Sequence, residues 1–115
     1  MSDNILNIHS ALEMVGNEKE LLTELLSSFV NDTPFELKKL HELINSSKLE
    51  EAAKYVHYYK GAARQIGAEA MAAKGQALED VLRGKKTGNI EQLSIEFSNI
   101  FATTQEAVND SLLIL

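Results

Sequence analysis

The chain has 115 residues, 44% hydrophobic and 24% charged, with one proline and six glycines. This is enough material for one core and too little for two, so residues 1–115 are expected to fold as a single domain with little disordered tail. The formal net charge of −6 argues against a general nucleic-acid binder, and the absence of cysteine excludes disulfides, thiolate nucleophiles and cysteine-ligated metal.

Apolar residues recur at helical spacing almost throughout, and no stretch alternates as a half-buried strand would, so the fold class is all-α. A first short helix is expected over Ile5–Met14, with Ile5, Ile8, Leu12 and Val15 on one side and Gly16 interrupting it. A second should start at Asn17 as N-cap, with Glu20 at its third position, and bury Leu21, Leu22, Leu25, Leu26 and Phe29. Thr33-Pro34-Phe35-Glu36 reads as a capping box with proline at the first helical position, opening a helix through Leu37, Leu40, Leu43 and Ile44. A further capping box, Ser47-Lys48-Leu49-Glu50, predicts a helix running to about Ile66 and stopped by Gly67. The next spans roughly Ala68 to Arg83 and ends at Gly84. The last follows Thr87-Gly88-Asn89, with Ile90, Leu93, Phe97, Ile100, Thr104 and Ala107 repeating in threes and fours as one packed face. Short connections favour antiparallel neighbours, giving an antiparallel four-helix bundle with an additional short N-terminal helix. No apolar run approaches a membrane span, and the opening Met1-Ser2-Asp3-Asn4 lacks the features of a signal peptide, so the expected location is cytoplasmic, without membrane insertion.

The helix from Ser47 to Ile66 carries two faces. Leu49, Ala52, Val56, Tyr59, Ala63 and Ile66 alternate spacings of three and four and form the core face. Beside it, Lys54, His57, Lys60, Gly61 and Arg64 stack as an exposed basic stripe. Imidazole is nucleophilic near neutral pH without a resident base, so His57 is suited to accept a phosphoryl group. Lys60, one turn on, is placed to neutralise phosphoryl oxygens. Gly61 leaves clear the space at i+4 that an incoming group must enter, although mid-helix glycine costs about 1 kcal/mol relative to alanine. Gly75, inside the following helix, admits two readings, close packing or partner approach.

His57-Tyr58-Tyr59-Lys60-Gly61 followed by Ile66-Gly67-Ala68 resembles the His-x-x-Lys-Gly signature of histidine-containing phosphotransfer (HPt) domains. Gly16-Asn17-Glu18, Phe29-Val30-Asn31-Asp32-Thr33-Pro34 and Ala77-Leu78-Glu79 resemble the same family in its order, so the likeness covers nearly the whole chain. The resemblance implies that His57 is the phosphoacceptor, Lys60 the phosphoryl-stabilising lysine and Gly61 the clearance glycine. It also implies that Glu79 hydrogen-bonds Nδ1 of the acceptor and orients Nε2 outward. Arg83, four residues after Glu79 on the same face, and Lys54 and Arg64 of the basic stripe are candidate accessory cations. The implied function is a phosphorelay step from the aspartate of one response-regulator receiver domain to that of another, fed by a hybrid sensor histidine kinase. The Mg²⁺ would sit on the receiver, and the chain itself would need no metal or other cofactor and have no kinase activity. Tyr58, Tyr59 and Arg64 depart from the usual family pattern and bear on partner choice. Ile8, Leu12 and Tyr58 are candidates for the docking surface.

Other readings find less support. A di-iron bundle needs Glu-x-x-His pairs, but Leu6, Lys38 and Lys54 stand three before His9, His41 and His57. His41-Glu42-Leu43-Ile44-Asn45 lacks the second histidine of a zinc-protease motif, and Gly84-Lys85 is followed by Lys86 and lacks the preceding glycine of a nucleotide-binding loop. His9 and His41 are read as structural. Two alternatives stay open: a helical adaptor that binds receivers without accepting phosphate, and a chemotaxis-type donor module phosphorylated by an ATP-binding domain.

Overall fold

The computed structural model describes residues 5–32 and 34–115. Among them are six helices and no strand: α1 Ile8–Met14, α2 Lys19–Asn31, α3 Leu37–Asn45, α4 Leu49–Gln65, α5 Glu69–Leu82 and α6 Ile90–Ile114. The four longer helices, α2, α4, α5 and α6, make the bundle. α1 is the additional N-terminal helix, and α3 is a further short one packed on α4 and α6. α5 packs most extensively on α4 and then on α6, while α2 closes the bundle against α6. Along the α4–α5 seam His57 meets Glu79 and Lys60 meets Gln76, one number rising as the other falls, so these two helices are antiparallel. The pairing follows from the three-residue turn between them, where Gly67 takes a left-handed φ of 72° and Ala68 N–H donates back to Ala63.

Two of the expected N-caps belong instead to the end of the preceding helix. Asn17 and Ser47 are not N-caps. Both have left-handed φ, 63° and 61°, and each belongs to the turn that closes the helix before it. Lys48 N–H donates to Leu43 and Ser47 N–H to Ile44, the paired bonds of a Schellman motif. The N-cap positions fall instead to Glu18 and Lys48, neither with a side-chain capping bond. Asn89 does cap α6, accepting from Gln92 N–H at 2.9 Å.

The third helix starts later than Pro34. Thr33 lies outside the described residues, and the helix begins at Leu37 with Glu36 as N-cap. Phe35 is instead buried at the centre of an aromatic cluster, its ring centroid 5.1 Å from Phe97, 5.4 Å from Tyr55 and 5.5 Å from Tyr59. Glu36 N–H donates to the Tyr55 hydroxyl at 2.9 Å. Tertiary packing of one large ring therefore outweighs a local capping preference worth about 1 kcal/mol. Phe35→Ala is expected to cost about 3–5 kcal/mol, read as a lower urea midpoint with an unchanged slope.

Two apolar faces are rotated from expectation. On α6 the buried line is Ser94, Phe97, Phe101, Thr104 and Val108, with Ile90, Leu93, Ile100 and Ala107 flanking it. The hydroxyls of Ser94 and Thr104 enter the core because each donates to the carbonyl one turn back, both at 2.7 Å. On α2, Leu22 and Leu26 are buried, Leu25 and Phe29 partly so, and Leu21 is exposed. On α4 the core face is as expected except for Leu49, exposed in the first turn.

Candidate functional site

His57 stands on α4, one turn before Lys60, and faces α5, whose Glu79 comes up from the opposite side. The His57 side chain is 59% exposed, whereas that of Glu79 is 7% exposed. Nδ1 of His57 lies 3.1 and 3.2 Å from the two oxygens of Glu79. Lys60 Nζ donates to Glu79 Oε1 at 2.8 Å and Arg83 Nε to Oε2 at 2.9 Å. One buried carboxylate thus gathers a ring nitrogen, an ammonium and a guanidinium.

Burial alone would push the Glu79 carboxyl up, but hydrogen bonds from Lys60, Arg83 and His57 more than offset it and lower its pKa from 4.5 to about 2. At neutral pH Glu79 is therefore an acceptor only, so Nδ1 must be the protonated nitrogen and Nε2 carries the lone pair of the neutral ring. Nε2, the nitrogen that Glu79 does not hold, is the nucleophilic one.

The same shift makes a prediction about acid stability. The ionised carboxylate is held more tightly in the fold than in the unfolded chain, so its contribution is complete above 4.5 and is lost as pH falls toward 2. In full it is on the order of 3 kcal/mol. Urea unfolding followed from pH 6 to pH 2.5 should show this acid limb, flattened in Glu79→Gln.

The basic stripe is not uniformly exposed. Lys60 is buried, its side chain 6% exposed, with Nζ also donating to Gln76 Oε1 at 3.0 Å. Its ammonium is thus spent beneath the surface rather than displayed beside His57. Lys54 is exposed, 3.9 Å from Glu50, and Arg64 is exposed with one nitrogen 3.4 Å from Gln76 Oε1. Arg83 is brought directly into the cluster through Glu79. Gln76, which the sequence reading passed over, receives both Lys60 and Arg64 and donates to Asp80 Oδ1 at 2.8 Å. The available signal was its place one turn before Glu79 on the same face of α5.

Around Gly61 the space is open, with nothing within 4 Å of where a Cβ would stand. His57 and Gly61 line a groove of about 350 Å³ whose apolar walls include Leu25 and Phe29 of α2 and Tyr58 of α4. Ile8 and Leu12 do not line this groove. Tyr58 is exposed, whereas Tyr59 is a core residue whose hydroxyl donates to the Pro34 carbonyl at 3.2 Å. His9 and His41 lie on α1 and α3, outside the Glu79 cluster. Among the described residues no group of three His, Asp or Glu is placed to hold a metal ion, and no helix is long and apolar enough to cross a membrane.

A family model, the Hpt domain, matches residues 24–110. The chain belongs to the Hpt domain family. No curated protein and no solved structure matches it. Hpt domains serve histidine phosphotransfer in phosphorelays as phosphoryl carriers rather than kinases, and they interact with receiver domains of two-component systems. The match takes in α4, α5 and every residue of the Glu79 cluster of this Hpt domain.

Proposed function

We propose that residues 1–115 act as one Hpt domain that takes a phosphoryl group on His57 Nε2 from the aspartyl phosphate of one receiver and passes it to the aspartate of another. The observation that carries this reading is a half-exposed imidazole whose Nδ1–H is fixed on a buried, ionised carboxylate, beside open space at Gly61. In the forward step the Nε2 lone pair forms the N–P bond as the aspartyl P–O bond breaks and the carboxylate leaves. The ring gains positive charge while keeping its Nδ1 proton, and Glu79 stabilises that charge. Lys60 acts through Glu79, holding its carboxylate. Lys54, Arg64 and Arg83 supply positive charge near the approach of a carboxylate-rich receiver site, so docking should weaken with salt. The receiver brings the Mg²⁺, and a hybrid sensor histidine kinase is the upstream source.

The test is transfer of labelled phosphate from phosphorylated receiver domains to the purified chain. Rapid transfer of an acid-labile, alkali-stable label supports the relay. Binding of receivers without transfer would favour the adaptor, and labelling only by an ATP-bound kinase domain would favour the chemotaxis-type donor. Gly61→Ala separates clearance from folding, because the two effects have opposite signs. The open surroundings let alanine raise stability by up to about 1 kcal/mol in urea unfolding. Transfer should nonetheless slow, and slow further in Gly61→Gln.

A further inference from the structure

Glycine weakens the middle of a helix relative to alanine, yet Gly75 sits in mid-α5. A Cβ at Gly75 would stand 3.0 Å from Cε1 of Phe97, 3.1 Å from Cβ of Lys60 and 3.3 Å from Cγ of Lys60. The stem of Lys60 therefore occupies the volume that a side chain at 75 would fill, with the Phe97 ring beside it. Gly75 is a close-packing glycine, and what packs into it belongs to the site.

A lysine on a helix surface ordinarily runs out to solvent. Lys60 is instead laid into the α4–α5 seam, and its ammonium ends between Gln76 and Glu79. Gly75 and Glu79 are four residues apart and lie one above the other on α5, so the slot opened at Gly75 leads along that face to the carboxylate.

We propose that Gly75 is a positioning residue of the phosphoacceptor site: its bare Cα gives the Lys60 stem the slot that delivers the ammonium to Glu79, and through Glu79 holds the ring of His57. The proposal rests on His57 being the phosphoacceptor. An alanine Cβ would press on Lys60 at Cβ and Cγ, the base of the side chain and not its flexible end, so the stem must give by a few tenths of an ångström at its root. Carried along the stem, that displacement lengthens the 2.8 Å bond of the ammonium to Glu79 and loosens the carboxylate's hold on Nδ1.

The experiment is a double-mutant cycle of Gly75→Ala and Lys60→Met. Methionine keeps an unbranched stem, and with it the packing conflict, but removes the ammonium. In the native background Gly75→Ala should slow phosphotransfer about tenfold, the scale seen when an orienting partner is lost. In the Lys60→Met background it should change the rate by less than about twofold. A second readout needs no transfer: the Glu79 carboxyl ¹³C titration should move up by at least about one pH unit in Gly75→Ala. Equal slowing in both backgrounds would overturn the proposal in favour of general packing, as would an unmoved Glu79 titration. If native protein takes no phosphate from any receiver, the reading of His57 fails, and the Glu79 titration still decides whether Gly75 places Lys60.

Discussion

Replacing His57 with glutamine is expected to reduce label uptake from a phosphorylated receiver to background while leaving the fold intact. The two halves of this expectation have separate causes. The side chain is more than half exposed and contributes little to the core, and Glu79 keeps Lys60 and Arg83 as partners when the ring is gone. The glutamine amide can also donate to Glu79 in place of Nδ1–H. Urea unfolding should therefore change by no more than about 0.5 kcal/mol. The chemistry has no such substitute, because an amide nitrogen is delocalised into its carbonyl and is no nucleophile. Receiver binding, followed by calorimetry, should persist in the variant. Residual acid-labile label would mean that another group accepts phosphate, and His9 and His41 would be the next to replace.

How far the sequence disclosed this arrangement differs from level to level. The helices and their order follow from a 3.6-residue period, which is local and survives any packing. Asn17 and Ser47 are ambiguous in sequence because asparagine and serine serve both as N-caps and in left-handed turns, and the difference is where the previous helix stops. Pro34-Phe35-Glu36 departs from its local signal because Phe35 is committed to rings on α4 and α6 that local propensity does not register. Within the site, the spacing of His57 and Gly61 on one helix was legible, and the resemblance supplied Glu79. The destination of Lys60 was not, since it depends on Gly75 and Gln76 across a helix seam. His57 and Lys60 keep the same i, i+3 spacing whether the lysine is displayed at the surface or buried in an ion pair with the next helix; only the neighbour decides.

Glu79→Leu should have the largest combined effect on stability and transfer. Leucine fills similar space but leaves the Lys60 ammonium buried with Gln76 as its remaining described partner. Removing one member of a buried pair costs about 3–5 kcal/mol, because the other charge stays desolvated. Transfer should fall by about two orders of magnitude or more, since nothing then selects the Nδ1–H tautomer or neutralises the ring as the N–P bond forms. Glu79→Gln is the informative comparison. An amide offers one oxygen where the carboxylate offers two, and Lys60, being more deeply buried than Arg83, has the stronger claim on it. Its NH₂ group then faces Arg83 and Nδ1, and an NH₂ group that donates to Nδ1 leaves the proton on Nε2, the wrong nitrogen for attack. Glutamine should therefore recover much of the stability lost in leucine and considerably less of the rate. ¹⁵N spectra of His57 would show the tautomer directly: Nδ1–H dominant in the native chain, and a substantial Nε2–H population in Glu79→Gln. A glutamine variant with native tautomer and native rate would mean that geometry alone, and not the carboxylate's charge, is what Glu79 supplies.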